Sequence, residues 1–303
     1  MTEAAPTAPT LRPLTVADLV DEIFRLYRAN AALFFGVSAV VWLPASAIYI
    51  VAQVAFVGNS LQNLDLTRAS SQQVASTLAV ALGALGVALL LGVIAFPFLF
   101  GAITAAVSAR YLGRPITVDT AFRRAFACYL RVVASYTLLV IALVGAAFGT
   151  LLLGGLLAAV IGGPTGVLIA VVTFVLTIAA FIWLGVTWAL VAQAIVIEDT
   201  GVWRSFGRSR GLVSGSRWRV IGITLLLTLI ESVLFTVPST FVSVLTTPLP
   251  APVGPALSEL VSALAQTAYF PVQFGTLTLL YYDLRVRKEG FDLSLAAEQL
   301  APA

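Results

Sequence analysis

Six long apolar runs, with arginine gathered at alternate junctions between them, constrain this 303-residue chain more than any other feature. The runs are Ala31 to Val57, Leu78 to Val107, Val132 to Leu153, Val167 to Ile197, Val220 to Val237 (extendable to Leu245) and Leu260 to Tyr282. Crossing about 30 Å of hydrocarbon takes roughly 20 apolar residues, and lipid offers the backbone no hydrogen-bond partner, so such runs must be helical. Arg12, Arg25 and Arg28 precede the first run; Arg110, Arg114, Arg123, Arg124 and Arg131 lie between the second and third; Arg204, Arg208, Arg210, Arg217 and Arg219 lie between the fourth and fifth; Arg285, Arg287 and Lys288 close the sixth. Of the 17 basic residues only Arg68 falls at another junction. Short loops rich in Arg and Lys stay cytoplasmic during insertion. The chain therefore reads as all-α, a polytopic protein of six transmembrane helices with both termini in the cytoplasm.

Composition agrees. Sixty per cent hydrophobic and 10% charged residues, with a mean hydropathy of +1.01, exclude an ordinary soluble domain of this length. A net charge of +3 could suggest nucleic acid, but the basic residues hug the ends of apolar runs; anionic lipid headgroups are the expected partner, and nucleic acid is not. The first ten residues carry one acid and no basic residue, so no cleavable signal peptide is expected, and residues 1–13 read as a disordered cytoplasmic leader. The lone cysteine, Cys128, rules out an internal disulfide and fits a reducing compartment. With no histidine at all, His-based and Cys-rich metal sites and His-assisted nucleophiles are excluded. No cofactor or metal is expected.

The chain repeats itself. RPLTV at 12–16 returns as RPITV at 114–118, and at the same offset Phe24 matches Phe126 and Tyr27 matches Tyr129. FPFLFGAIT at 96–104 returns as FPVQFGTLT at 270–278, with Gly185 in the analogous place in the fourth run. The simplest unit is an amphipathic interfacial helix followed by a helical hairpin, repeated over about 14–111, 114–197 and 199–286 within one membrane domain, 14–290, ahead of a cytoplasmic tail, 291–303. All three units start on the same side, unlike inverted-repeat transporters. Thr15 and Asp18 form a capping-box start, after which Val16, Leu19, Val20, Ile23, Leu26 and Tyr27 make one apolar stripe. The second copy puts Val118, Ala121, Phe122, Ala125, Phe126 and Tyr129 on one face; the third, around Val202 to Val213, is less regular. Such helices lie in the interface, as plain anchors or as a collar for lipid or a partner.

Glu231 is the one ionisable residue read as deep in a span, which marks it as a candidate site. It is either protonated glue, with Gln193, Gln266 and Gln273 as candidate partners, or a ligand or proton site. Arg25, Arg28, Arg123, Arg124, Arg131, Arg208, Arg210, Arg217 and Arg219 are candidate headgroup contacts. Pro44, Pro97, Pro238 and Pro271 interrupt spans or their ends; the paired Pro97 and Pro271 either open a central cleft or only help the hairpins pack. Tyr27, Tyr111, Tyr129, Trp203, Trp218, Tyr281 and Tyr282 read as an interfacial aromatic belt, and Asp283 and Glu289 with Arg285, Arg287 and Lys288 as a solvated helix end. There is no Gly-rich phosphate loop, no G-x-S-x-G elbow and no carboxylate pair in a shared cleft.

LTVADLVDEIFRLYRAN before the first span, GVWRSFGRSRGLVSGSRWRVIGI before the fifth and the ending LLYYDLRVRKEGFDL resemble bacterial membrane proteins grouped with the membrane domain of glycerophosphoryl diester phosphodiesterases. The resemblance covers about Leu14 to Leu293. It implies a six-span bacterial inner-membrane protein linked to lipid or envelope metabolism. The soluble catalytic barrel of fused relatives, with its acidic and His metal ligands, is absent, so no catalytic residue carries over. The expectation is a non-enzymatic scaffold or accessory protein whose basic, aromatic collar engages anionic lipid or a protein partner; the alternative is a transporter or lipid-translocating protein using a cleft near Glu231.

Overall fold

The computed structural model describes residues 12–54, 70–249 and 253–300. The leader, Arg68 and most of the junction around it, and residues 250–252 lie outside these bounds. Among the described residues the secondary structure is helical: α1 (Val16–Ala29), α2 (Ala31–Ala52), α3 (Ser71–Tyr111), α4 (Val118–Ile161), α5 (Gly163–Thr187), α6 (Val191–Glu198), α7 (Val202–Val213), α8 (Arg217–Thr246), α9 (Val253–Glu289) and α10 (Phe291–Leu300). Five helical stretches are long and apolar enough to cross a membrane: α2, α3, α4, the α5–α6 stretch and α8. This is a membrane protein. α9 is not among the five, although its length would suffice, because it is less apolar than they are. Its burial explains this: most residues from Thr267 to Val286 are covered by other helices, so they need not be soluble in lipid.

Local chemistry starts and stops these helices as the sequence suggests. Thr15 Oγ1 accepts from the Asp18 N–H at 3.1 Å while Asp18 accepts from the Thr15 N–H at 2.9 Å. Thr117, the counterpart of Thr15 in RPITV, caps α4 in the same manner with Thr120. Gly162, at φ +66°, turns α4 into α5, a backbone conformation that a side chain would disfavour.

Three elements differ from the sequence reading. The second amphipathic segment is not a separate helix. It runs without a break into its span, giving α4 44 residues and a length of about 66 Å, twice the hydrocarbon thickness. Its buried stripe is Ala121, Ala125, Cys128 and Val132, whereas Phe126 is 76% exposed; only small side chains fit where the segment lies against α3. The fourth run is broken at Trp188–Leu190 into α5 and α6. Finally, residues 291–300 of the tail are helical, and Phe291 packs on Tyr282.

The core sits entirely toward the arginine-rich end. It draws on residues 14–37, 99–107, 121–132, 186–196, 212–227 and 269–284, each bordering a basic cluster. α3, α6 and α9 meet at its centre. α3 and α9 run parallel and in register: Phe96 meets Phe270, Phe100 meets Phe274, Thr104 meets Thr278 and Ser108 bonds Tyr282, each pair 174 positions apart. Gly275 admits Ile23 of α1, because a Cβ there would run into the Ile23 side chain; on α3, Gly101 similarly lies against Ala125. Beyond the core the far halves of α4 and α5 pack on each other through Gly154, Gly166 and Thr177 and are apolar and exposed on their other faces. Lipid solvates such faces as well as protein does, so nothing drives them together.

Candidate functional site

At the arginine-rich end most of the expected headgroup contacts are engaged within the protein. Arg25 forks onto Glu22 and Arg123 pairs with Asp119, both on exposed faces of their own helices. Arg28 donates to the Phe24 carbonyl. Arg124 donates to the Val196 carbonyl at 2.7 Å, and Arg131 holds the Asp199 carboxylate at 2.6 Å. Asp199, at φ +56°, ends α6 in the left-handed conformation that Asp tolerates, and its carboxyl is held below the usual range by the Arg131 hydrogen bond. Arg208 bridges Glu198 and Glu289, while Tyr281 donates to Glu198 at 2.5 Å. Burial would raise Glu198, but the hydrogen bonds from Arg208 and Tyr281 outweigh it and hold the carboxyl low; Glu289 is lowered chiefly by Arg208. Arg217 lies 3.9 Å over the Trp183 ring.

Asp283 is not part of a solvated helix end. It is 1% exposed and accepts from the Leu14 N–H at 2.7 Å and from Arg287, with Arg219 3.0 Å away. Arg219 and Arg287 also donate to the Leu14 carbonyl, so this cluster ties the entrance of α1 to α8 and α9. Tyr281 and Tyr282 are likewise core residues instead of belt residues, while Trp203 and Trp218 are 78% and 85% exposed. Arg204 and Arg210 are exposed and make no ion pair among the described residues.

Among the described residues, two cavities stand out within the bundle. The inner one, about 190 Å³, opens between α4, the α5–α6 break, α8 and α9, and its polar lining is Ser135, Tyr136, Thr224, Thr228 and Gln273. Ser135 Oγ and Gln273 Oε1 are buried without a hydrogen-bond partner. Glu231 stands behind this lining, accepting from Gln273 Nε2 at 3.2 Å. Of the three glutamines expected near Glu231, only Gln273 bonds it. Gln193 is fully buried in α6 with both amide atoms unpartnered, and Gln266 lines the other cavity.

The break beside the inner cavity is latched from α7. Ser209 Oγ accepts from the Leu190 N–H at 3.2 Å and donates to the Thr187 carbonyl at 2.9 Å, so one buried hydroxyl serves both ends of the interruption. Non-helical backbone at membrane depth needs this kind of internal partner. No sequence periodicity marks the latch; GVTWALVAQ reads as unbroken helix.

The outer cavity, about 200 Å³, lies between α2, α3 and α9, lined by Trp42, Ser46, Tyr49, Glu259 and Gln266 among others. Glu231 is therefore not the only acid within the bundle. Glu259 was outside the sixth run as read from hydropathy, which begins at Leu260, but α9 starts at Val253 and carries it inside. Glu259, Gln266 and Gln273 are seven residues apart, so they form a polar stripe on one face of α9, about 10 Å between neighbours. The interlocked rings of Trp42, Phe96, Phe100, Phe270, Phe274 and Tyr136 lie between the two cavities.

Residues 21–284 match a family described as a domain of unknown function, DUF7847. The chain belongs to this family. The matched segment runs from α1 to near the end of α9 and contains both cavities, the Ser209 latch and Asp283. No curated protein and no solved structure matches the chain. Among the described residues no cluster of His, Cys, Asp and Glu could hold a metal ion.

Proposed function

We propose that the chain is a non-enzymatic six-span protein of the bacterial inner membrane, arginine-rich end in the cytoplasm, that takes a lipid headgroup into the inner cavity and eases its passage between leaflets. The observation that carries this is a mainly apolar cavity, opening between α4 and α8 beside a broken helix, with Ser135, Thr224, Thr228 and Gln273 among its lining residues. Thr224 and Thr228 are exposed on α8, so the polar lining reaches the lipid-facing surface. α9 is the sixth span. The in-register pairing of α3 with α9, and the packing of α1 on Gly275 as the start of α4 packs on Gly101, support a repeated unit of interfacial helix plus hairpin, although Gly185, in the analogous place in α5, has nothing packed against it. The resemblance to the phosphodiesterase-associated membrane domain supports a place in lipid or envelope metabolism.

The test is a leaflet-exchange assay. Proteoliposomes carrying a head-labelled phospholipid are treated with an impermeant quencher, and the wild-type protein should expose inner-leaflet lipid faster than empty vesicles do. Gln273→Leu with Thr228→Leu should abolish the acceleration. Equal rates for wild type and empty vesicles would sink the reading.

A second reading, an accessory protein engaging anionic lipid or a partner through its collar, is favoured by one observation: Trp203, Arg204 and Arg210 of α7 and Trp218 at the start of α8 are all exposed at the arginine-rich end. Retention of anionic lipid through purification should fall in Arg204→Gln/Arg210→Gln. These two are better probes than Arg123, Arg124 or Arg208, whose loss would also break internal pairs.

A further inference from the structure

We propose that the outer cavity between α2, α3 and α9 is a binding site for a protonated amine carrying an acceptor group, with Glu259 as its counter-ion. The cavity's lining brings one carboxylate residue, Glu259, together with Gln266, Ser46, Tyr49 and Trp42. Glu259 has no hydrogen bond or ion pair among the described residues, and no basic side chain lines the cavity with it. A carboxylate facing a mainly apolar cavity without a cationic partner among the described residues is costly to ionise and asks for one.

The choice of cation follows from the donor set. Calcium takes six to eight oxygens, several of them carboxylate, and magnesium demands an octahedral shell; a single carboxylate with one amide and two hydroxyl oxygens supplies neither. An alkylammonium has three N–H donors to distribute, and its charge is attracted to aromatic faces within about 6 Å. Tyr49 supplies the second half of the recognition: its oxygen accepts from Gln53 at 2.5 Å, so its own proton is left to donate to an acceptor such as a phosphate or carboxylate oxygen. The ligand is therefore zwitterionic. At about 200 Å³ the cavity has room for a small headgroup-sized molecule.

Two sources carry that chemistry, the headgroup of an amino-phospholipid and a free amino-phosphate, and one experiment separates them. The purified protein is placed in nanodiscs of phosphatidylglycerol alone, and tryptophan fluorescence and thermal stability are followed while phosphoethanolamine, ethanolamine or sodium chloride is added; a parallel set of nanodiscs contains phosphatidylethanolamine. Saturable stabilisation by either phosphoethanolamine form, reduced at least tenfold in apparent affinity by Glu259→Gln and unchanged by Gln273→Leu, is the expected result. A response to the lipid alone identifies a headgroup site, and a response to the free compound identifies a soluble ligand. The Gln273→Leu control keeps the outcome separate from that of the inner cavity. No saturable response to any amine, an equal response to sodium, or a Glu259→Gln variant that folds and still binds normally would overturn the proposal.

Discussion

Glu198, Glu289 and Asp199 show at the scale of single residues what the arginines of this chain do. All three carboxyls are held below their ordinary values of 4.5, 4.5 and 3.8 by arginine partners. A carboxylate lowered in the folded state contributes stability that is complete above its unfolded pKa and is lost as pH falls through the folded one. The melting temperature in detergent should therefore be flat from pH 7 to about 5 and fall below about 4.5; Arg208→Gln should flatten that acid limb, and an unchanged limb would show that the Glu198–Arg208–Glu289 bridge is not coupled to folding. Glu231 gives the second residue-scale prediction. Its amide analogue keeps an acceptor for Gln273, so Glu231→Gln should be nearly silent in thermal denaturation. Glu231→Leu should cost about 0.6–1.7 kcal/mol, the range of interhelical hydrogen bonds in lipid. Equal tolerance of both would show that the Gln273 contact carries no stability.

At the scale of elements, the latch and the close approach are the features to break. Ser209→Ala leaves a buried carbonyl and a buried N–H at the α5–α6 interruption without their partner and should cost about 1–3 kcal/mol, read as a lowered denaturation midpoint; a change within error would mean that water replaces the hydroxyl. Gly275→Leu should displace α1, and proteolysis near Thr15 should then quicken. These two sites mark the limit of sequence reading. The apolar runs and the Thr15 cap were legible because each rests on local chemistry: hydropathy and an N-cap hydroxyl. The α5–α6 break was not, since Trp188, Ala189 and Leu190 are ordinary helix formers and the interruption is sustained by a hydroxyl 19 positions away. Asp283 and Tyr281 were misplaced for a related reason. Charge and aromaticity near a span end suggest the water boundary, and only the tertiary arrangement shows Leu14 seated on Asp283 and Glu198 of α6 meeting Tyr281. Of the candidate site, the Glu231–Gln273 pair was legible as polar residues at membrane depth. Glu259 was missed because a hydropathy boundary at Leu260 cut it off.

At the scale of the whole molecule, orientation is the first thing to test. In a Cys128→Ser background, a cysteine at Thr165, an exposed position in the α4–α5 turn, should react with an impermeant thiol reagent added outside intact cells, whereas one at Ser214 should not. Labelling at Ser214 would reverse the assignment. Ser209 is unsuitable for this purpose, because it is buried and would be protected on either side. The core is confined to one end, and the far halves of α4 and α5 hold mainly each other. That inequality has a mechanical expression. If the molecule is pulled out of a bilayer by its C-terminus, the tightly packed end and the lone hairpin are separate resistances: α8 with α9 should leave together, and α4 with α5 should follow as an event of its own. A single merged rupture would mean that surrounding lipid transmits load between hairpins that the protein itself leaves apart.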